Sequence, residues 1–348
     1  MQVIKVASSL GVVENQTEPQ TIQGGVGEEI CNWSRSDWTS SIDFEEVPTC
    51  YVCASTKRIP AFEKSFFDHS FHWVRCSDCG LVFQSPRLTK ESLDLIYNSE
   101  LYWHGRSDAN PPSAESAEEL RLGYNNYEMG HPYRMAQARQ RVRALSRHLP
   151  PGSRVLEVGC AAGFFLAALK QAGYDATGIE LSAAMAEYGR SRLDVDIQLG
   201  DFDQLEVPPE SYDGITAWGC DSNFHDVRET YSHMVEALRP GGILAFNYFD
   251  FDHPARILQG SFKQVYNAIY YFNRSNVTRL LNSLDLEIVS HSTEFQYTCL
   301  EEVASMTGRR GLQTLARTLG IQRSMLRLPI VGSYLLLARK SPHPARRP

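Results

Sequence analysis

A short apolar strand, a glycine-rich turn and a helix follow one another in the segment VLEVGCAAGFFLAAL, from Val155 to Leu169. Glycines at such a junction let a ligand approach the backbone closely, and the start of a helix favours negative charge. Downstream, short apolar runs alternate with helical segments, which is typical of βαβ units on a parallel sheet. The chain is therefore predicted to be an α/β protein.

The same alternation predicts the individual elements. A short helix over Thr89–Tyr97 and an amphipathic helix over Tyr133–Leu149 precede the first strand. Predicted strands lie at Arg154–Val158, Asp175–Ile179, Ile197–Leu199, Gly214–Trp218, Gly242–Tyr248, Leu286–Ser292 and Ser333–Ala338. Predicted helices lie between them at Gly163–Ala172, Ser182–Arg190, Val227–Leu238 and Ser275–Leu284.

Four cysteines stand ahead of this region in two C-x-x-C pairs, Cys50 with Cys53 and Cys76 with Cys79. Two tight turns of this kind can offer four thiolates to one tetrahedral Zn²⁺. Gly80, after the second pair, can take the left-handed backbone that such a turn often needs. Four protein ligands leave no open coordination position, so the pattern favours a structural zinc. A redox dithiol pair and two disulfides are the alternatives.

Composition divides the chain further. We expect a loose polar arm over residues 1–48, a zinc-binding ribbon over 49–86 and a helical linker or lid over 87–132. The α/β domain then occupies residues 133–340, and residues 341–348 form a disordered tail.

The charge of the chain bears on its partners. A net charge of −7 opposes binding to a nucleic acid. No run of eighteen apolar residues and no leader pattern is present, so we expect a cytoplasmic protein with no membrane partner. From Val303 onward the charged residues are all basic, which indicates a solvated helix face with a loose tail or a patch for an anionic substrate. They are Arg309, Arg310, Arg317, Arg323, Arg327, Arg339, Lys340, Arg346 and Arg347.

Two acidic residues near the glycine-rich turn indicate which cofactor it binds. The run from Gly159 to Phe164 does not give the G-x-G-x-x-G pattern of dinucleotide sites. Glu157, just before the turn, suits a cofactor with a positively charged amino-acid end. Glu180 ends the next strand, where an acid can bind both hydroxyls of a ribose. Together these points favour S-adenosylmethionine (SAM) over NAD.

Residues from about 135 to 290 resemble the class I SAM-dependent methyltransferases. Their first motif, E/D-x-G-x-x-x-G, is matched by Glu157, Gly159 and Gly163. With the cysteine pairs, CSDCGLVFQSPR and the YYF segment, the resemblance covers residues 49–290. It implies a doubly wound, Rossmann-like, seven-stranded SAM methyltransferase sheet preceded by a small zinc-ribbon-like domain. It also implies membership of a bacterial group that methylates sugars and other small metabolites.

The resemblance implies a cofactor site as well. The turn from Gly159 to Gly163 would wrap the methionine part of SAM, and Glu180 would hold the ribose. Asp201 would lie near the adenine amine and Phe202 near the adenine ring. The cofactor residues expected in this way are Glu157, Gly159, Ala161, Gly163, Glu180, Leu181, Asp201, Phe202 and Trp218.

No catalytic base follows from the resemblance. The related group often carries Glu-His after the fourth strand and a histidine before Tyr-Phe, whereas this chain has Ser222-Asn223 and Ala268 there. The local candidates are His225, with Asp221 or Asp226, and His253, with Asp250 and Asp252. The aromatic residues expected around the substrate are Tyr248, Tyr270 and Tyr271, with Tyr127 and Tyr133 as a lid over the cofactor.

The predicted function is transfer of a methyl group from SAM to O, N or C of a small molecule in biosynthesis. A sugar, a sugar nucleotide or a secondary metabolite is the expected acceptor. An RNA methyltransferase that grips RNA with the ribbon is one alternative, favoured by the basic C-terminal stretch and opposed by the overall acidity. A non-catalytic SAM-binding protein is the second, because both family histidines are missing, and an NAD dehydrogenase is a distant third.

Overall fold

The computed structural model describes residues 41–66, 69–99, 102–103, 131–220, 222–254, 268–299, 318–321 and 324–342. Several predicted features lie outside these residues. They are most of the arm 1–48, residues 104–130 of the linker, most of the tail 341–348, Tyr127, Asp221 and the basic residues Arg309, Arg310, Arg317, Arg323, Arg346 and Arg347.

The cysteine pairs belong to a small antiparallel unit. Its strands are β1 (Phe44–Glu45), β2 (Arg58–Phe66), β3 (His69–Cys76), β4 (Val82–Gln84) and β5 (Arg87–Leu88). β3 pairs with both β2 and β4, whereas β1 pairs with β5 through Phe44↔Leu88 and Glu45↔Arg87. Phe44 and Glu45, which the sequence placed in the loose arm, are therefore held against the unit that follows it.

Helices and strands then alternate along the chain. Helix α1 (Lys90–Asn98) begins at Thr89, whose side chain accepts a hydrogen bond from the backbone amide of Ser92. The further helices are α2 (His131–Leu145), α3 (Phe164–Gln171), α4 (Ala183–Leu193), α5 (Val227–Ala237) and α6 (Arg274–Ser283). The further strands are β6 (Arg154–Val158), β7 (Asp175–Glu180), β8 (Asp196–Leu199), β9 (Tyr212–Ala217), β10 (Leu238–Phe249), β11 (Tyr270–Tyr271), β12 (Leu286–Cys299) and β13 (Met325–Lys340).

Seven of these strands form the central sheet, in the order β12-β13-β10-β9-β6-β7-β8. The strands from β6 to β10 pair in parallel, and β13 pairs antiparallel with both β10 and β12. Central strands of such a sheet are covered by helices on both faces, and four of the five residues of β6 are buried accordingly. This doubly wound, Rossmann-like sheet is the SAM methyltransferase fold, which confirms the predicted fold class.

The predicted strands fall within the observed ones apart from Trp218, one residue beyond the end of β9, but the last two are much longer than expected. β12 continues to Cys299, and β13 starts at Met325, where the two strands still pair. Most side chains from Met325 to Pro329 are exposed, so the usual signal of a buried face is missing there. Backbone pairing rather than side-chain burial extends these strands.

The ribbon is joined to the α/β domain through β11. Tyr270 and Tyr271 pair with Phe83 and Val82 of β4, which makes β11 the edge of the ribbon's four-stranded sheet. The indole of Trp73 donates a hydrogen bond to the carbonyl of Ala268 at 3.0 Å. The ribbon is thus completed by a strand that the α/β domain supplies.

A helix that crosses a bilayer must be both long and apolar. Among the residues that the structure describes, no helix is long and apolar enough to cross a membrane.

Candidate functional site

A cavity of about 730 Å³ opens at the carboxyl ends of the parallel strands. Open α/β sheets bind their ligands at this edge. Eight of the nine residues predicted to bind the cofactor line it, namely Glu157, Gly159, Ala161, Glu180, Leu181, Asp201, Phe202 and Trp218. Gly163 is not among the lining residues. It stands at the start of α3 with φ +76°, and a Cβ there would lie 2.8 Å from Cγ2 of Val195.

The turn between β6 and α3 follows a left-handed path. Gly159 has φ +67°, and a Cβ on it would come within 3.0 Å of the Cys220 sulfur. Ala161 also has a positive φ, +47°, although it carries a side chain. Because Gly159 has no side chain, its backbone atoms form part of the cavity wall.

Glu157 is a buried carboxylate on the cavity wall, with 3% of its surface exposed. Its Oε2 accepts no hydrogen bond from any residue within the described ranges. Burial raises the pKa of Glu157 well above its usual value, and the charge of Glu180 adds to this, whereas Arg141 opposes it. The site thus holds a buried acidic oxygen that has no hydrogen-bond donor among the described residues.

Glu180 is also buried, but both of its oxygens accept hydrogen bonds. The backbone amide of Ala161 donates to Oε2 at 2.7 Å, and that of Ser182 donates to Oε1 at 2.8 Å. Burial raises the pKa of Glu180, and these amides partly counteract the effect. Each oxygen keeps a second lone pair, so the carboxylate can still accept bonds from a ligand.

Asp201 and Phe202 follow β8. Oδ1 of Asp201 accepts a hydrogen bond from the amide of Asp203 at 3.0 Å, and Oδ2 forms an ion pair with Lys90 of α1. Phe202 is buried, with its ring edge-on to His233. Helix α1 therefore reaches the part of the cavity that Asp201 and Phe202 line, which no motif in the sequence indicated.

A second buried carboxylate, Glu294, was not predicted from the sequence. It lies on β12, is 2% exposed and lines the cavity. Arg141 donates to its Oε1 at 2.7 Å, while Asn247 and Ser333 donate to its Oε2 at 3.0 and 2.7 Å. The guanidinium of Arg141 also lies over the Trp218 ring, 4.9 Å from the centroid. Glu294 lies beyond the predicted strand Leu286–Ser292, so no pattern in the sequence marked it or its partners.

The two histidine candidates lie in different surroundings. His225 lines the cavity, and its Nε2 is 2.7 Å from Oε1 of Glu45. His253 is not among the lining residues, and packs instead near Gly332 and the ring of Tyr334. The structure therefore brings only His225 together with the predicted cofactor residues.

Of the two acids expected to assist His225, Asp221 lies outside the described residues, and Asp226 bonds to backbone amides instead. Asp226 caps α5, where its Oδ1 accepts hydrogen bonds from the amides of Arg228 and Glu229 at 2.9 and 3.1 Å. Glu45 of β1 takes the place next to the imidazole, and it comes from the segment that the sequence predicted to be a loose arm.

The expectation for three of the tyrosines was wrong. Tyr248, Tyr270 and Tyr271 are buried in the core and are not among the residues that line the cavity. Pairing of β11 with β4 turns the last two into part of the ribbon sheet. Tyr133 does line the cavity, and it is joined there by aromatic residues of the linker, Tyr97, Tyr102 and Trp103.

The four cysteine sulfurs of the ribbon lie within 4.8 Å of one another. Two of the Sγ–Sγ distances, Cys50 to Cys79 and Cys53 to Cys76, are 3.5 Å. The residue after each pair has a positive φ, 56° at Ala54 and 77° at Gly80. The two turns are thus equivalent in shape and present their thiols to a common centre.

Comparison with known proteins identifies the class of this domain. Residues 129–291 match the family described as "Methyltransferase domain". The match spans the parallel strands from β6 to β10, whose carboxyl ends line the cavity. Residues 129–291 are therefore similar to a methyltransferase domain, and they lie in a sheet of the SAM methyltransferase fold.

Its relatives act on different molecules, according to their names. The chain is 31% identical over 117 residues to a demethylmenaquinone methyltransferase of Renibacterium salmoninarum. This match covers 33% of the present chain and 47% of that protein. It is 34% identical over 100 residues to a malonyl-[acyl-carrier protein] O-methyltransferase of Pectobacterium atrosepticum, covering 27% and 38%. The chain thus spans about half or less of the length of these relatives.

A solved structure of similar fold is the S-adenosylmethionine dependent methyltransferase from Mesorhizobium loti. It has a TM-score of 0.40 and 20% identity, and the match covers 59% of this chain and 100% of that chain.

Proposed function

We propose that the protein transfers a methyl group from SAM to a small molecule. The observation that carries the proposal is the carboxylate of Glu157, which is buried on the cavity wall without a hydrogen-bond partner for Oε2 among the described residues. A buried charge of this kind is unfavourable unless it is paired. The α-ammonium group of SAM is a partner of the right charge.

The positions of three acids support the same cofactor. Glu157 is the last but one residue of β6, Glu180 ends β7 and Asp201 follows β8, and these strands are neighbours in the sheet. Neighbouring strands lie about 4.8 Å apart, so the acids stand in a row about 10 Å long. In this assignment Glu157 binds the ammonium group, Glu180 the ribose hydroxyls, and Asp201 with Phe202 the adenine. Gly159, Ala161, Leu181 and Trp218 enclose the remainder, while Gly163 serves the packing of α3.

The rest of the cavity is assigned to the acceptor. Its wall carries aromatic rings, namely Tyr97, Tyr102, Trp103, Tyr133 and Tyr297, together with the polar groups of Arg141, Asn247 and Glu294. A volume of about 730 Å³ holds SAM and a small acceptor, as expected for a small-molecule site. We infer a sugar, a sugar nucleotide or a secondary metabolite with both apolar and hydrogen-bonding groups.

His225 is the residue to which we assign the role of base. When bound, SAM supplies an electrophilic methyl group, and an oxygen or nitrogen acceptor loses one proton as it is methylated. Burial lowers the pKa of His225, and the charge of Arg87 adds to this, so the imidazole is neutral at pH 7 and able to take that proton. His253 lies away from the cavity lining and is left without this role.

We further propose that the ribbon holds one structural Zn²⁺ on Cys50, Cys53, Cys76 and Cys79. Tetrahedral zinc with bonds of about 2.3 Å to sulfur places the sulfurs about 3.8 Å apart. The observed separations of 3.5 Å are close to this value and far from a disulfide bond. Bound there, zinc would crosslink the two turns of a unit that has a small core of its own.

Calorimetric titration of the purified protein with SAM and with S-adenosylhomocysteine tests the cofactor assignment. We expect micromolar binding that weakens at least tenfold in Glu157→Gln, because the variant lacks the charge that pairs with the ammonium group. Glu187→Gln is the matched control, since Glu187 is an exposed residue of α4 outside the cavity lining. Its affinity should equal that of the wild type.

Absence of binding to well-folded wild-type protein would overturn the proposed function. Binding followed by turnover on a sugar, sugar nucleotide or secondary metabolite would establish it. If SAM binds but none of these acceptors is methylated, a non-catalytic SAM-binding protein becomes the better description.

A further inference from the structure

Glu45 reaches the cavity wall from outside the α/β domain. Its Oε1 lies 2.7 Å from Nε2 of His225 and 2.6 Å from Nε of Arg87. Arg87 also donates hydrogen bonds to the backbone carbonyl of His225 and to the hydroxyl of Tyr51. One guanidinium therefore holds both the carboxylate and the histidine backbone, which sets the distance between the two side chains.

The protonation states of this pair follow from its surroundings. Burial raises the pKa of Glu45, but Arg87 and His225 outweigh it, so the pKa lies below its usual value and the carboxylate is ionised. Burial and the charges of Arg87 and Lys90 lower the pKa of His225, which Glu45 only partly reverses. An ionised carboxylate can only accept a hydrogen bond, so its approach to 2.7 Å from Nε2 favours the neutral imidazole that carries its hydrogen on Nε2. Nδ1 then keeps its lone pair.

We propose that Glu45 is the positioning residue that prepares His225 to act as the base, a role that rests on the proposed function. As the bond between sulfur and the methyl group breaks, its electron pair stays on sulfur. An acceptor oxygen or nitrogen forms the new bond to carbon, and its proton moves to Nδ1 of His225. The imidazolium formed in this way is stabilised by the negative charge of Glu45, whose Oε1 lies 2.7 Å from Nε2.

The solvent exposure of Glu45 and His225 argues against a purely structural role for their ion pair. The side chain of Glu45 is 40% exposed, and ion pairs at such positions add little to stability. A change at Glu45 should therefore alter the state of His225 while leaving the fold and the SAM site intact.

Long-range ¹H–¹⁵N spectra of protein labelled at histidine, saturated with S-adenosylhomocysteine, test the tautomer directly. His225→Gln assigns the signal. We expect the pattern of a neutral Nε2–H imidazole with a pKa below its usual value. In Glu45→Gln that pKa should fall further, because a carboxylate that favours the imidazolium is gone. Glu46→Gln, an exposed neighbour, is the matched control and should leave the signal unchanged.

Kinetics with a sugar, sugar nucleotide or secondary metabolite that the protein methylates provide the second measurement. We expect Glu45→Gln to lower kcat about tenfold or more with the KM for SAM changed less than about twofold. The acidic limb of the kcat–pH profile should move to lower pH. Glu46→Gln should retain the wild-type kcat and profile.

The outcomes distinguish the inference from the proposed function. An Nδ1–H tautomer in the wild type, or a His225 signal and pKa that Glu45→Gln does not change, would overturn the role of Glu45 even if SAM binds. Failure of the wild type to bind S-adenosylhomocysteine would instead remove the proposed function itself.

Discussion

Arg141 of α2 donates a hydrogen bond from Nη2 to Oε1 of Glu294 on β12, at 2.7 Å and across 153 positions of the chain. Both side chains line the cavity, and Glu294 is the more deeply buried of the two. Because Asn247 of β10 and Ser333 of β13 donate to the other oxygen, one carboxylate joins a helix and three strands. This contact fixes the guanidinium over the Trp218 ring beside the proposed cofactor.

Neutralising Glu294 should destabilise the protein. In Glu294→Gln the side-chain NH₂ group would face a hydrogen-bond donor in either orientation, because both oxygens of Glu294 accept hydrogen bonds. Arg141 would also lose its anionic partner. We expect a loss of about 3 kcal/mol in the free energy of unfolding. Urea denaturation measures it, with Glu287→Gln as control, since Glu287 is an exposed residue of the same strand. A loss below about 0.5 kcal/mol would show that the contact contributes little.

A second prediction separates backbone strain from packing at two glycines. Gly163 and Gly152 both have positive φ values, 76° and 86°. A Cβ on Gly163 would lie 2.8 Å from Val195, whereas one on Gly152 would meet nothing within 4 Å. We expect Gly152→Ala to cost about 1 kcal/mol from strain alone. Gly163→Ala should cost about 1–3 kcal/mol more because of overpacking. Equal unfolding midpoints in urea for the two variants would contradict the packing argument.

The third prediction concerns pH. Burial and the charge of Glu180 raise the pKa of Glu157 above its value in the unfolded chain, although Arg141 opposes the shift. Between these two pKa values the folded state binds more protons, so stability without ligand falls as pH rises. Glu157→Gln should remove this loss and stabilise the ligand-free protein at pH 7.5 by at least about 1 kcal/mol.

Urea unfolding at pH 5.5 and pH 7.5 checks this dependence. The difference between the two pH values should be smaller in Glu157→Gln than in Glu187→Gln, which keeps the buried carboxylate. Saturating SAM should reduce the stability advantage of Glu157→Gln at pH 7.5 by at least about 1.4 kcal/mol, because the intact site binds the ligand at least tenfold more tightly. An unchanged pH dependence in Glu157→Gln would show that Glu157 is not the group that titrates.

The fourth prediction concerns the metal. Atomic emission should find one zinc per chain, and Cys53→Ser should lose it, since three thiolates hold zinc less tightly than four. Cys220→Ser is the control, because Cys220 lies outside the cluster, and it should retain the metal. Treatment with a strong chelator should unfold the ribbon and lower the thermal midpoint. Zinc-free protein of unchanged stability would exclude a structural metal site.

The sequence predicted most of the fold because the relevant signals are local. Apolar runs from Val155 onward carry the period of buried strands, and Thr89 caps α1 with its own hydroxyl. Gly80 takes its left-handed conformation within the turn that contains Cys79. Each of these features depends on a few consecutive residues, which is the range over which backbone geometry and burial patterns act.

The sequence by itself therefore determined the strands of the sheet, the glycine-rich turn and the two C-x-x-C motifs. Only the tertiary structure decided which distant side chains meet: Glu45 with His225, Arg141 with Glu294, and β11 with the ribbon. Such contacts depend on how whole elements pack, because no local pattern encodes the partner of a charged group far along the chain. The same packing leaves His253 outside the cavity lining while His225, with a similar acidic neighbourhood in the sequence, stands on its wall.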